Sequence, residues 1–185
     1  MTDKKLLRSK IRAEISGLDG KYTAMSDNGI SANLCSLPEF AAAGTVFAYA
    51  SVGREVATER IIARALELGK RVCLPRTMPG GAMDFADISA GLHEARFGIP
   101  EPDGALPPVE PEKDDLIVVP ALCCDRRGIR LGQGGGYYDR FLARYPAAVK
   151  ACLCRERLLM ENVPAEWNDI AVDYVITEAS IIKVR

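Results

Sequence analysis

The 185-residue chain has 24 Lys and Arg against 25 Asp and Glu, and its formal net charge of -1 excludes a strong overall attraction to nucleic acid or membranes. A hydrophobic fraction of 48% is typical of a globular protein, here a single domain spanning residues 1–185. No apolar run approaches the roughly 18 residues of a membrane-spanning helix, and the charged N-terminus lacks a secretory signal, so we expect a cytoplasmic protein.

The N-terminal half is predicted to contain two helices followed by a strand–helix–strand unit. Asp3 is the expected cap of a first helix that ends at Ser16. The pattern then predicts a helix at residues 26–37, a strand at 45–50, a helix at 58–68 and a strand at 71–75. A strand–helix–strand order of this kind favours a parallel crossover.

A cationic stripe runs along the first predicted helix. Lys4, Arg8 and Arg12 repeat every four residues, so they share one face of the helix. The stripe is either a solvated surface or a source of positive charge for an anionic ligand, and local sequence does not decide between them.

The C-terminal half continues the α/β pattern. Strands are predicted at residues 82–88, 114–120, 147–154, 173–177 and 181–184, a helix at 138–145, a helical turn at 156–160 and an ordered loop at 93–111. The apolar strand at 114–120 has the character of a central parallel strand. None of the six cysteines forms a C-x-x-C pair and His93 is the only histidine, so we expect reduced thiols rather than a zinc site.

The most informative stretch is residues 130–140, Arg-Leu-Gly-Gln-Gly-Gly-Gly-Tyr-Tyr-Asp-Arg. Closely spaced glycines let backbone N–H groups approach a ligand, and a helix that begins just after them directs its unpaired amides to the same place. This arrangement suits a phosphate group, and a flexible surface turn is the alternative. The spacing matches neither the P-loop, whose lysine is absent here, nor G-x-G-x-x-G, because Tyr137 occupies the sixth position of that pattern.

Two carboxylates lie where a ligand would be expected. Glu55 follows the first strand, at the sheet edge where α/β proteins bind ligands, and it is either a hydrogen-bond acceptor for a ligand or a surface residue. Asp139 would repel a nearby phosphate by about 4 kcal/mol at 4 Å near a surface. Its presence is explained either by Mg²⁺ between the two charges or by capping of the helix dipole.

The run at residues 130–140 resembles the signature of the 5-formyltetrahydrofolate cyclo-ligase family. Further segments match the family in order along the chain, at residues 4–8, 55–58, 97–102, 115–120 and 172–178. The resemblance implies a three-layer Rossmann-like open sheet, mostly parallel with helices on both faces (NagB/RpiA/CoA-transferase-like). It also implies ATP- and Mg²⁺-dependent conversion of 5-formyltetrahydrofolate to 5,10-methenyltetrahydrofolate, with release of ADP and phosphate. The substrate would carry a polyglutamate tail or lack one, and the protein would be a monomer.

The resemblance also assigns residues to the site. ATP would be bound by Lys4, Lys5, Arg8, Arg130, Leu131, Gly132, Gln133, Gly134, Gly135, Gly136, Tyr137 and Tyr138. The folate would contact Ala50, Glu55, Phe97, Gln133, Gly134, Gly135, Gly136 and Tyr137. Arg130, Gly134, Gly135, Gly136 and Tyr137 would act at the reacting groups, and Asp139 and Asp173 would hold Mg²⁺.

The chain departs from the family pattern at three places, and two other functions compete with the one that the resemblance implies. Asn168-Asp169 stands where many relatives have His-Asp, Cys123-Cys124 replaces a small–aromatic pair, and Gln133 fills a position where relatives often carry a larger or basic residue. The first departure is expected to affect the site near Asp173. A sugar-phosphate isomerase or acyl-CoA-type transferase would turn over without ATP, and a folate- or nucleotide-binding regulatory module would bind without hydrolysing ATP.

Overall fold

A computed structural model describes residues 4–78, 82–94 and 100–184. The helices are α1 Lys4–Ser16, α2 Gly20–Cys35, α3 Pro38–Ala42, α4 Glu59–Glu67 and α5 Tyr137–Arg144. The strands are β1 Thr45–Phe47, β2 Arg71–Thr77, β3 Met83–Asp87, β4 Leu92–Glu94, β5 Pro100–Pro102, β6 Leu116–Val119, β7 Cys123–Asp125, β8 Arg130–Leu131, β9 Val149–Leu153, β10 Leu159–Met160, β11 Tyr174–Ile176 and β12 Ile181–Lys183.

Seven strands form the central sheet, in the order β12-β11-β9-β6-β1-β2-β3. The five inner strands are parallel, and the edge strands β3 and β12 are antiparallel to their neighbours. From β1 the chain proceeds to β2 on one side and later to β6 on the other. The strand order therefore reverses between β1 and β6, which is where open α/β sheets leave a crevice at the carboxyl ends of their strands.

Helices cover both faces of this sheet, because successive side chains of each strand point to opposite sides. On one face Phe47 and Ile117 pack with Ile11 of α1 and with Phe141 of α5. On the other face Val46, Leu116 and Val118 pack with side chains of α2, α3 and α4, including Ile30, Phe40 and Ile61. The predicted three-layer, mostly parallel α/β architecture is confirmed.

Some elements differ from the prediction. Helix α2 begins at Gly20, six residues before the expected start, because Asp19 caps it by accepting a hydrogen bond from the Tyr22 N–H. The short helix α3 was not predicted. Residues 93–111, predicted to be a loop, contribute to an antiparallel pairing of β4 with β5. The expected helix cap Asp3 lies outside the described residues.

A second, three-stranded sheet with the order β10-β7-β8 was also not predicted. It is short, and β7 and β8 are joined by a turn at Gly128, which has a φ of 78°. This sheet carries the chain from the central strand β6 to the glycine-rich segment that precedes α5. Cys123 and Cys124 lie in β7, where both side chains are buried.

All six cysteines are free thiols in the structure, and only Cys35 is not fully buried. Burial raises the pKa of Cys73 and of Cys123 to about 12. Thiols held protonated in this way are unreactive core residues. None of the helices within the described residues is long and apolar enough to cross a membrane.

Candidate active site

A cleft of about 360 Å³ opens at the carboxyl edge of the central sheet, at the reversal between β1 and β6. Ala50 follows β1, Pro120 follows β6, and both line the cleft. Each residue of the glycine-rich segment from Arg130 to Asp139 lines it too. The cleft is within the usual size range of small-molecule sites, and its position is the one that the fold class favours.

The glycine loop approaches other groups too closely for larger residues. Gly134 and Gly136 have φ angles of 106° and 66°, which side-chain-bearing residues rarely adopt. A Cβ at Gly134 would lie 3.3 Å from Cζ of Arg8, and a Cβ at Gly135 would lie 2.7 Å from the ring of Tyr137. Gly136 precedes α5 without any side-chain cap, so the first amides of the helix are left for another partner.

Helix α1 holds this loop through its cationic stripe. Nε of Arg8 donates to the carbonyl of Gly132 at 2.9 Å, and a guanidinium nitrogen of Arg12 donates to Oε1 of Gln133 at 2.8 Å. Lys4 and Arg8 line the cleft. The stripe is therefore part of the site rather than a purely solvated face. Lys5 is exposed and is not among the lining residues.

Beneath the loop, a buried ion pair joins β8 to α5. A guanidinium nitrogen of Arg130 lies 2.9 Å from Oδ1 of Asp139, and the two side chains are 4% and 18% exposed. The same oxygen accepts a hydrogen bond from the N–H of Ile170 at 3.1 Å. These bonds fix the Asp139 carboxylate at the start of α5.

Two buried donors at the cleft have no partner among the described residues. Nε of Arg130 and the hydroxyl of Tyr138 are both shielded from solvent and make no hydrogen bond there. Burial, with a smaller contribution from the charge of Glu55, raises the pKa of Tyr138, so its hydroxyl stays protonated. Buried polar groups are nearly always paired, so these two donors have spare hydrogen-bonding capacity at the wall of the cleft.

The opposite end of the cleft, over β2 and β3, is more apolar. Pro75 of β2 and Met83 of β3 line it there, whereas Tyr49 and Glu55 follow β1, and Gln133 of the glycine loop hydrogen-bonds to Glu55. Glu55 accepts a hydrogen bond from the Val52 N–H at 3.2 Å. Burial raises the pKa of Glu55, and hydrogen bonds from Val52 and Gln133 partly oppose that rise.

The structure does not bring the two expected metal ligands together. Asp173 lies just before β11, where the parallel strands begin, and its Oδ2 accepts from the Lys150 N–H at 2.9 Å. It is not among the residues that line the cleft, whereas Asp139 is, and the expected role of both carboxylates as Mg²⁺ ligands stays a prediction. Within the described ranges no group of three or more His, Cys, Asp or Glu side chains could hold a metal.

A single carboxylate is nevertheless compatible with Mg²⁺ that arrives with a nucleotide. Such ions use one or two protein carboxylates and take their other ligands from phosphates and water. Asp139 lines the cleft, and of its two oxygens only Oδ1 is hydrogen-bonded within the described part of the chain. The donor set therefore fits a phosphate-bound magnesium ion.

The segment before β11 contributes residues that were not among the predicted ligand contacts. Glu166, Asn168 and Asp169 line the cleft, and Asp169 Oδ2 lies 2.7 Å from Nζ of Lys4. The Asn168 departure was expected to affect the site near Asp173. In the structure it lies beside Lys4 instead. Nothing in the local pattern of residues 161–172 predicts this. Pro120 and Thr77, by contrast, follow or end strands and could have been found from the carboxyl-edge rule.

Phe97, an expected folate contact, lies outside the described residues. Of the other expected site residues, Lys4, Arg8, Ala50, Glu55 and the complete run from Arg130 to Asp139 share one cleft, whereas Lys5 and Asp173 do not line it. Their contacts with ligands stay predictions.

Comparison with known proteins agrees with this picture. A model of the 5-formyltetrahydrofolate cyclo-ligase family matches residues 1–178. The 5-formyltetrahydrofolate cyclo-ligase of Mycolicibacterium smegmatis is 38% identical over 150 residues, which cover 76% of this chain and 77% of that protein. The enzyme of the same name from Escherichia coli K12 is 29% identical over 155 residues, covering 80% and 85%.

Two solved structures resemble the fold. The 5,10-methenyltetrahydrofolate synthetase of Aquifex aeolicus has a TM-score of 0.84 and 31% identity, and the match covers 98% of this chain and 93% of that one. The synthetase of Mycoplasma pneumoniae has a TM-score of 0.78, with coverage of 96% and 99%. Its identity of 20% makes the second match evidence for the fold alone.

Proposed function

We infer that this chain, which belongs to the 5-formyltetrahydrofolate cyclo-ligase family, is an enzyme that converts 5-formyltetrahydrofolate to 5,10-methenyltetrahydrofolate with ATP and Mg²⁺. ADP and phosphate are the other products. The observation that carries the ATP requirement is the glycine loop at the start of α5, which has no side-chain cap and lines the cleft beside Arg130. An uncapped helix start of this kind, close to Lys4 and Arg8, suits a polyanion.

The chemistry explains why a phosphoryl donor is needed. A formamide carbonyl is a poor electrophile, and its oxygen is a poor leaving group. Transfer of the terminal phosphoryl group of ATP to the formyl oxygen releases ADP and leaves an activated iminium phosphate. N10 then attacks the formyl carbon, the C–O bond breaks, phosphate departs and N10 gives up its proton.

The protein has positioning and charge stabilisation to perform in this scheme, and no side-chain nucleophile is required. The glycine loop and the start of α5 hold the phosphates, with Lys4, Arg8 and Arg130 balancing their charge. Asp139 is the residue that would hold Mg²⁺, which when bound neutralises charge on the phosphates. The sheet edge at Ala50 and Glu55 orients the folate so that the formyl oxygen meets the loop.

The two substrates are expected to occupy different ends of one cleft. The basic end contains Lys4, Arg8 and Arg130, and the apolar end over β2 and β3 contains Pro75 and Met83. A charged triphosphate is favoured at the first end and a flat heterocycle with N–H groups at the second, and Glu55, beside the glycine loop, can accept from those N–H groups. The loop between them is where the phosphoryl group and the formyl oxygen meet.

The decisive experiment follows the near-ultraviolet absorbance of the methenyl product. Purified protein should form product only when 5-formyltetrahydrofolate, ATP and Mg²⁺ are all present, with one ADP released for each product molecule. Product formation without ATP would contradict the ATP requirement and favour a transferase-type or isomerase-type reaction. Saturable folate binding without ATP hydrolysis would instead indicate a regulatory binding module.

A further inference from the structure

The chain has one tryptophan, Trp167, and its side chain is almost entirely in water, at 98% exposure. The residues on either side of it, Glu166 and Asn168, both line the active-site cleft. The segment 166–169 therefore forms part of the rim of that cleft, and Trp167 projects from this segment into water. Tryptophan has a large apolar surface, and its exposure at such a place is typical of a surface that a ligand covers.

The backbone that carries Trp167 is held firmly at the basic end of the cleft. The Asp169 carboxylate lies 2.7 Å from Nζ of Lys4 and accepts a hydrogen bond from the Glu166 N–H at 2.6 Å. One residue further on, the Ile170 N–H donates to the Asp139 carboxylate at 3.1 Å. Both ties lead to residues that face the phosphates in the proposed function. The backbone that carries the ring is therefore ordered before the ligand arrives, which limits the entropy that binding costs.

We propose that Trp167 stacks on the adenine base of ATP, an inference that depends on the ATP requirement proposed above. With the phosphates at the glycine loop, Lys4 and Arg8, and with the folate at the apolar end over β2 and β3, the nucleoside is left to extend over the rim at residues 166–169. There the aromatic ring offers a face for the base. Stacking tolerates any purine, because every base has a π-face, so GTP binds at this rim as well.

The single tryptophan makes the proposal directly measurable, because all indole fluorescence of the protein comes from Trp167. Titration with Mg²⁺ and ATP should quench this fluorescence, whereas tripolyphosphate, which has the phosphates but no base, should leave it almost unchanged. In calorimetry, Trp167→Ala should weaken ATP binding about tenfold, which corresponds to about 1.4 kcal/mol of base stacking. Binding of tripolyphosphate should be the same in both proteins, and Trp167→Phe should restore most of the ATP affinity.

The control is Leu66→Ala, which removes another exposed apolar side chain from the surface of α4. It should leave both ligands unaffected. Thermal melting should show all three variants folded, since none of the replaced side chains is buried.

The possible outcomes separate this proposal from the proposed function. If wild-type protein binds ATP by calorimetry but shows no quenching, and Trp167→Ala binds ATP normally, the stacking proposal is overturned and the ATP requirement stands. If Trp167→Ala weakens ATP and tripolyphosphate equally, the residue acts on the phosphate end and stacking is again overturned. If wild-type protein binds neither ligand, both proposals fail together.

Discussion

Replacement of Asp139 by asparagine should separate the structural role of this carboxylate from its role with ATP. An asparagine keeps one oxygen to accept from Arg130 and from the Ile170 N–H, but the negative charge is lost. Arg130 is 4% exposed and Asp139 is 18% exposed, so water compensates little for the lost charge. Hydrogen bonds to a charged group contribute about 1.5–3 kcal/mol and neutral ones about 0.5–1.5 kcal/mol, so we expect Asp139→Asn to lower the free energy of unfolding by about 2 kcal/mol.

A matched control exists in another buried arginine pair. Asp84 accepts from Nε and from a terminal nitrogen of Arg76 at 2.9 and 3.0 Å, and the arginine and aspartate side chains are 6% and 23% exposed. Neither residue lines the cleft. Asp84→Asn should therefore cost a similar free energy of unfolding while leaving the use of ATP unchanged.

The measurements are urea unfolding for stability and the methenyl absorbance assay for activity, with ATP and Mg²⁺ each varied in turn. Asp139→Asn should raise the half-saturating concentrations of Mg²⁺ and ATP by about 10- to 100-fold, the range typical of lost metal-site interactions. The KM for folate should change much less. If Asp139→Asn and Asp84→Asn affect the KM for ATP equally, the effect comes from lost stability alone, and the assignment of Asp139 to the nucleotide end is wrong.

Three further predictions concern Glu55, the turn at Gly128 and the cysteine thiols. Glu55→Gln should raise the KM for folate with little effect on ATP, and equal effects on both would contradict its placement at the folate end. The pKa of Glu55 is raised in the folded state, so its contribution to stability is complete below the ordinary pKa of a glutamate. That contribution disappears as the pH rises through the folded-state pKa. Glu55→Gln should therefore remove this pH dependence from urea unfolding curves. Gly128→Ala should lower the free energy of unfolding by several kcal/mol, because its Cβ would lie 2.7 Å from the carbonyl oxygen of Val172. Gly53 also has a positive φ but lies in open space, so Gly53→Ala should cost only about 1–2 kcal/mol in the same unfolding experiment. A thiol reagent should modify Cys35 first in the native protein and the other five cysteines only on unfolding, and rapid native modification of all six would contradict their burial.

Much of the fold could be predicted because a regular spacing of apolar residues is a property of neighbouring residues and indicates a helix or a strand directly. The apolar run at 114–120 forms the central strand β6. The helix predicted at 138–145 forms α5, in which Phe141 and Leu142 are buried. The predictions failed where structure depends on partners distant in the chain. The two-residue strands β8 and β10 exist only because β7 lies between them, and no local signal marks a strand of that length.

The site shows the same division. Lys4 and Arg8 were identified from spacing, and the family resemblance assigned them to ATP, but only the tertiary structure places α1 against the glycine loop. Asp173 matched the family pattern, yet the start of β11 places its carboxylate beside Lys150. Asp169 was noted only as part of the Asn168-Asp169 departure, and it lies in the cleft because the segment before β11 passes close to Lys4.

The sequence by itself determined the α/β class, the glycine loop and the family, because periodicity, glycine spacing and a dense motif are properties of neighbouring residues. The tertiary structure decided which charges meet. It joined Arg130 to Asp139 and left Arg130 Nε and the Tyr138 hydroxyl buried without partners in the part of the chain that the structure describes. Such pairings depend on the packing of α1, β8 and α5 around one sheet edge, and electrostatic interactions depend on distance and burial that only the folded chain defines.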